Sequence, residues 1–418
     1  MYILSENSPE IWSAFRKLDF RFSFVFIFSF ILVFNNGTYP LYGYISMPLT
    51  RLMQRFVPWF SENILCYSYD HSVFINGSGD TSYAWVSLLI LFLIALISAV
   101  IWSILDRKRT NYTFLLYWLT TAIRYYVAFM LINYGMIKIF HMQMQPPRLT
   151  QLLQPLGEYS PMGLAWTYIG YSKGYNLLIG LVEILSGLLL FRKTMVVGAL
   201  ITVATSINIM AVNYFYDVPV KMVSTALLLF SIFLLLPYLN SLFTFFITGR
   251  PAQLPPPQQP LSNRNWKRKN LFFAKLILLI IFSIQEIMSL FNTQKLIAGY
   301  QKKSPLYGIY HVEQTQKQHK SIPQNWRLIV FEFDSYKVLI RNTDYRPQTE
   351  SVVIDAAGKK ITLNNYEFDY RITPDGNIRL TKTFGDHMEE IKLVKQDPQA
   401  FELMRRKFNW IQEYPYSR

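Results

Sequence analysis

Residues 111–140 read NYTFLLYWLTTAIRYYVAFMLINYGMIKIF. The stretch is long and apolar enough to enter a bilayer, yet Arg124 stands near its middle and Lys138 near its end. A charge at the bilayer centre costs about 2.5–3.5 kcal/mol on insertion scales, so one that persists is expected to be paired or to face a wet cavity. Arg124, Tyr134 and Lys138 fall roughly on one helical face. Lys138 has the alternative of snorkelling to the interface. The rest of the membrane region is expected to pack around that face.

Six further apolar runs accompany it, at residues 18–34, 83–105, 175–191, 195–212, 218–246 and 271–291. With 111–140 they predict about seven spans. The first follows Arg16 and Lys17 and has no small-residue cleavage site after it, so it reads as an uncleaved anchor. Two long connections intervene. Residues 35–65 mix Pro, aromatics and arginines and read as interfacial, with a polar loop to 82. Residues 141–174 are rich in Pro, Trp, Tyr and Gly and predict short surface helices. Residues 248–270, TGRPAQLPPPQQPLSNRNWKRKN, form a Pro-rich basic linker.

Basic residues mark one side. Arg16, Lys17 and Arg21, the DRKR run at 106–109, Arg192 with Lys193, and Arg250 with 264–269 share a face if there are seven spans. By the positive-inside rule that face is cytoplasmic, the N-terminus is inside, and residues 292–418 are periplasmic or otherwise extracytoplasmic. The same rule explains much of the net charge of +15, so no nucleic-acid partner is expected. Cys66 is the single cysteine, which excludes an intramolecular disulfide redox pair. The five histidines are scattered without ligand spacing, and no metal site is expected.

The C-terminal 292–418 differs in kind. A helical neck near 286–300 is followed by WRLIVFEFD, YKVLIRN, SVVID, KKITL, YEFDYRI, NIRLTK and EEIKLVK, separated by turns such as TPDGN. About seven short antiparallel strands predict a small sandwich or barrel. Asp369, Asp375 and Asp386 read as turn or surface residues. A short helix follows, and the tail aromatics Phe408, Trp410, Tyr414 and Tyr416 are expected to cap the domain's own core.

Depth can be counted along the spans. Arg124 lies roughly 16 Å from the cytoplasmic end of its span and Glu183 roughly 13 Å from that of the next. The two are expected to pair near the midplane, as a floor to a ligand cavity or as a fixed register. Tyr134, Lys138 and Asn208 complete the cavity candidates. An outer-leaflet tier holds His141, Asn213, Asp217, Lys221 and Glu286, of which Asp217 and Lys221 read as interfacial anchors. Gly187, one turn beyond Glu183, and Gly198 suit close helix approach.

Between residues 111 and 247 the chain resembles the DoxX-like family of bacterial membrane proteins. The resemblance rests on the R-x9-Y-G-x2-K run of Arg124, Tyr134, Gly135 and Lys138, and a long Pro-containing outer loop. It continues in VEILSGLLLF with Glu183 and Gly187, and in two spans ending LLLFSIFLLLPYLN. It implies a four-helix membrane core, with residues 1–110, 271–291 and 292–418 added around it. Family members include components of quinone-coupled and other redox complexes and assembly factors. The Tyr134–Lys138 run is also distantly similar to the membrane part of vitamin K-dependent carboxylases. The resemblance therefore implies an inner-membrane subunit that binds a lipid-like ligand or an extracytoplasmic or membrane protein partner. A quinone-linked oxidoreductase component, with quinone as cofactor, is the alternative. A transporter is disfavoured, because no inverted repeat or broken helix pair is visible.

Overall fold

A computed structural model of the protein describes residues 11–69, 78–257, 265–314, 325–333, 336–342, 347–384, 387–406 and 408–416. Residues 258–264 of the basic linker and Asp386 lie outside them. The chain divides into two units, Met1–Gln145 with Ser160–Phe291, and Pro146–Tyr159 with Asn292–Arg418.

The helices in chain order are α1 (Ala14–Val33), α2 (Tyr42–Asn63), α3 (Ser82–Leu105), α4 (Thr113–Ile139), α5 (Leu149–Leu153), α6 (Pro161–Tyr171) and α7 (Lys173–Ile184). After them come α8 (Met195–Phe215), α9 (Lys221–Leu235), α10 (Leu239–Thr248) and α11 (Asn265–Tyr300). A 3-10 segment, Leu185–Leu190, extends α7. Six helical stretches among the described residues are long and apolar enough to cross a membrane. They are α3, α4, Lys173–Leu190, α8, Lys221–Thr248 and Lys269–Tyr300. α1 has the length, but Arg16, Lys17, Asp19 and Arg21 crowd its first turns, and it is not one of the six.

α4 is the central helix of the first unit. Every residue from Ile123 to Leu131 is buried, so the helix is enclosed on all sides instead of along one stripe. Tyr126 and Phe129 sit fully inside, and Phe129 stacks on Phe282 of α11 at 4.0 Å between ring centres. Against α7 the contact is backbone-close. A Cβ placed on Gly135 would lie 2.6 Å from the carbonyl oxygen of Gly180, and one on Gly180 would lie 2.7 Å from that of Gly135. Gly198 makes a similar approach, 2.8 Å from the Leu189 nitrogen. Gly187 meets only Ile132 Cδ1 at 3.6 Å, an ordinary contact, so the tight crossing uses Gly180 instead.

At the foot of α1, Arg21 is buried and fully served. Its Nε and Nη2 donate to the Tyr112 hydroxyl at 2.9 and 2.8 Å, Nη1 to Ser103 Oγ at 2.7 Å, and Nη2 also to the Asp106 carbonyl at 3.1 Å. At the start of α9, Asp80 accepts the Lys221 and Met222 backbone N–H groups at 2.6 and 3.0 Å. The carboxylate thus answers two donors that no helical carbonyl can reach. Asp80→Ala is expected to cost about 1–2 kcal/mol. Thermal unfolding in detergent measures this, and an unchanged midpoint would show the cap to be dispensable.

The second unit is a closed antiparallel barrel of eight strands, each paired with the next and β8 with β1. The strands are β1 (Lys303–Gln314), β2 (Trp326–Phe333), β3 (Lys337–Asn342), β4 (Pro347–Asp355), β5 (Lys360–Leu363), β6 (Tyr366–Ile372), β7 (Ile378–Phe384) and β8 (His387–Gln396). Closure is made by Ile309 opposite Gln396 through Gln314 opposite Ile391. Ile329, Ile340, Ile361, Phe368, Leu380 and Leu393 fill the interior. Burial pushes the Tyr310 phenol up to about 12, so this ring is a neutral core group. The sequence shows seven of these strands, and β1 is the one added.

β2 is apolar on both faces. Leu328 and Val330, with Ile309 of β1, pack outside the barrel core against Leu149 of α5. Glu332 fixes that cover by accepting from the Leu149 N–H at 2.6 Å and the Thr150 hydroxyl at 2.8 Å. Residues 146–159, which the sequence places in an outer loop of the 111–247 core, therefore belong to the barrel unit. The tail corrects another expectation. Phe408, Trp410 and Tyr414 are 76%, 90% and 84% exposed and cap no core. They follow α12 (Glu402–Arg405), where Tyr416 is held by Glu402 and by the Arg406 guanidinium, 3.9 Å from its ring centre. Asp369 and Asp375 are exposed, on β6 and in the following turn.

Candidate functional site

Two groups of buried charge occupy the helical unit. The first is a contact ion pair between Lys138 Nζ of α4 and Glu183 Oε2 of α7, 2.9 Å apart, with the side chains 9% and 0% exposed. The Tyr134 ring lies 5.6 Å from Nζ. Glu183 Oε1 is buried and has no hydrogen-bond partner among the described residues.

This replaces the expected Arg124–Glu183 pair. α4 and α7 run antiparallel, with Ser186 donating to the Ala128 carbonyl at 3.3 Å and Arg124 Nε to the Leu189 carbonyl at 2.7 Å. Arg124 is therefore level with the end of the 3-10 segment, not with Glu183. Leu189, near the end of the 3-10 segment, meets Arg124 about 16 Å past the start of α4, so the two spans do not end at one level as the count assumes. The steeper rise of Leu185–Leu190 adds only about 3 Å to this stagger. Lys138, nearly four turns farther along α4 than Arg124, takes the carboxylate.

The second group surrounds Arg124. An open cavity of about 1370 Å³ lies between α1, the start of α2, α4 and α11. Its walls are mostly apolar, from residues such as Ile31, Trp118, Tyr125 and Leu278, and it is edged by Arg124, Arg192, Lys269 and Lys275. Lys275 Nζ donates to the Leu190 carbonyl at 2.6 Å and lies 4.8 Å from the Phe191 ring centre. The last two carbonyls of the 3-10 segment, the negative end of its dipole, thus each receive one cation.

The other predicted residues fall elsewhere. Glu183, Tyr134 and Lys138 are not in the cavity wall, and Asn208 is exposed on α8. His141 Nε2 contacts the Lys173 carbonyl at 3.2 Å. Asn213 donates to the Val220 carbonyl at 3.3 Å and closes the turn before α9. Asp217 pairs with Lys221 at 2.8 Å and is exposed. Glu286 is buried and accepts from Asn133 Nδ2 at 2.9 and 3.0 Å. Sequence reasoning missed Asn133, Asp80 and Lys275 and used Arg192 only to mark topology. The available signal was Lys275 itself, a cation set inside the run LFFAKLILLIIF.

No family model matches the chain, and no solved structure matches it. Over 122 residues it is 33% identical to the uncharacterized protein YwoB of Bacillus subtilis (strain 168), a match that covers 27% of this chain and 71% of that one. The chain belongs to the family of that protein.

Proposed function

We propose that this chain is a polytopic subunit of the bacterial cytoplasmic membrane, DoxX-like in its helical core, that binds one lipid-like ligand in the cavity between α1, α4 and α11. The observation that carries this reading is the apolar cavity of about 1370 Å³ with buried Arg124 in its wall. That volume exceeds the roughly 300–1,000 Å³ of ordinary small-molecule pockets and suits an amphiphile with long chains. Membership as a seventh span falls to α1, whose basic first turns sit with Arg107 to Arg109, and the positive-inside rule puts them in the cytoplasm. The barrel is then extracytoplasmic.

The test is purification in mild detergent, lipid extraction and mass spectrometry of the wild type beside Ala274→Trp, which fills the cavity from an exposed position on α11. A lipid or quinone near one equivalent in the wild type and lost in the variant is expected. Equal retention by both, or no retained molecule, overturns the reading. A partner-binding role has separate support in the exposed Phe408, Trp410, Ile411 and Tyr414. Co-purification of a protein that deletion of residues 408–416 abolishes would establish it.

A further inference from the structure

We infer that the cavity takes an anionic phospholipid, with its phosphate held by Arg124, Arg192 and Lys275 and its chains along the apolar wall. The inference rests on the ligand-binding reading above and names the class of ligand.

The reason is an imbalance of charge. Lys275 lies within electrostatic range of both Arg124 and Arg192, and Arg124 within range of Arg192. Among the described residues no carboxylate comes within ion-pair distance of any of the three. The other buried cations of this unit are handled differently. Lys138 has Glu183, and every guanidinium nitrogen of Arg21 has a protein acceptor. Arg124 is 3% exposed, yet only its Nε is bonded, to the Leu189 carbonyl. Its two terminal nitrogens have no protein acceptor among the described residues, and the side chain forms part of the cavity wall. Two parallel N–H donors facing a cavity match two oxygens of a phosphate, which Lys275 and the exposed Arg192 can approach from the neighbouring wall. Like charges gathered in a low-dielectric site raise one another's energy, and a bound anion removes that cost.

A neutral quinone would fill the apolar part and leave these donors unanswered. A free phosphate would answer the donors and leave the apolar wall exposed. An anionic phospholipid meets both demands.

Native mass spectrometry of the delipidated full chain, offered equal amounts of phosphatidylglycerol, phosphatidylcholine and menaquinone, tests this. Phosphatidylglycerol is expected to be retained about tenfold over the other two. The preference should fall to near unity in Arg124→Gln and persist in Lys275→Arg, which keeps its charge. Equal retention of both phospholipids, or preference for menaquinone, overturns the inference while the cavity reading stands. Retention of none of the three overturns the cavity reading as well. Displacement of phosphatidylglycerol by millimolar inorganic phosphate alone would assign the cations to a free anion and overturn the lipid claim. The comparison among lipids uses the wild type, so it holds even if a variant fails to fold.

Discussion

Lys138→Met is expected to destabilise the helical unit by about 3–5 kcal/mol, because it leaves the Glu183 carboxylate buried without its cation. Glu183→Leu is expected to cost a similar amount by stranding Lys138. The double variant Lys138→Met/Glu183→Leu should recover most of the loss, since two apolar side chains need no solvation and fill similar volume. Unfolding midpoints of the four proteins in one detergent give the double-mutant cycle. If each single change costs under about 1 kcal/mol, water or lipid headgroups already screen the pair and its burial has been misjudged.

Gly180→Leu is expected to cost about 3 kcal/mol and to spread α4 from α7. Its Cβ would fall 2.7 Å from the Gly135 carbonyl oxygen and 3.2 Å from the Ile139 nitrogen, and backbone atoms of a central helix cannot rotate aside. The same movement would draw Glu183, three residues on, away from Lys138, so the crossing and the ion pair are coupled. Gly180→Ala and Gly187→Ala form the matched pair, because a Cβ at Gly187 meets only a methyl carbon at 3.6 Å. Cysteine crosslinking between the two helices, with thermal unfolding, reads the result. Equal effects at Gly180 and Gly187 would remove the close crossing from the account.

How much of this was legible depended on whether the signal was local. The central place of α4 could be read because Arg124, Tyr134 and Lys138 repeat at helical spacing inside one apolar run. The partner of Glu183 could not, because it is set by the stagger of α7 against α4, which neither run announces on its own. The cavity charge was hidden for a different reason. Arg124, Arg192 and Lys275 come from three places in the chain, and only the fold gathers them. In the barrel, β2 to β8 show as alternating runs between turns. β1 does not, since Pro305 and Gly308 interrupt its pattern directly after a helix. Closure is not written in alternation at all. A sandwich would show the same period.

The dependence of β2 on Leu149 has a consequence for biosynthesis. Residues 146–159 leave the ribosome well before the strands they cover, with the helices from α6 to α11 made in between. The barrel's apolar outer strip, Ile309, Leu328 and Val330, therefore waits for no later sequence and is covered by a segment already made. A fragment that starts at residue 292 would lack that segment and expose the strip, which favours self-association. Excising the barrel as a soluble reagent calls for residues 146–159 to be supplied with it, by fusion or as a peptide.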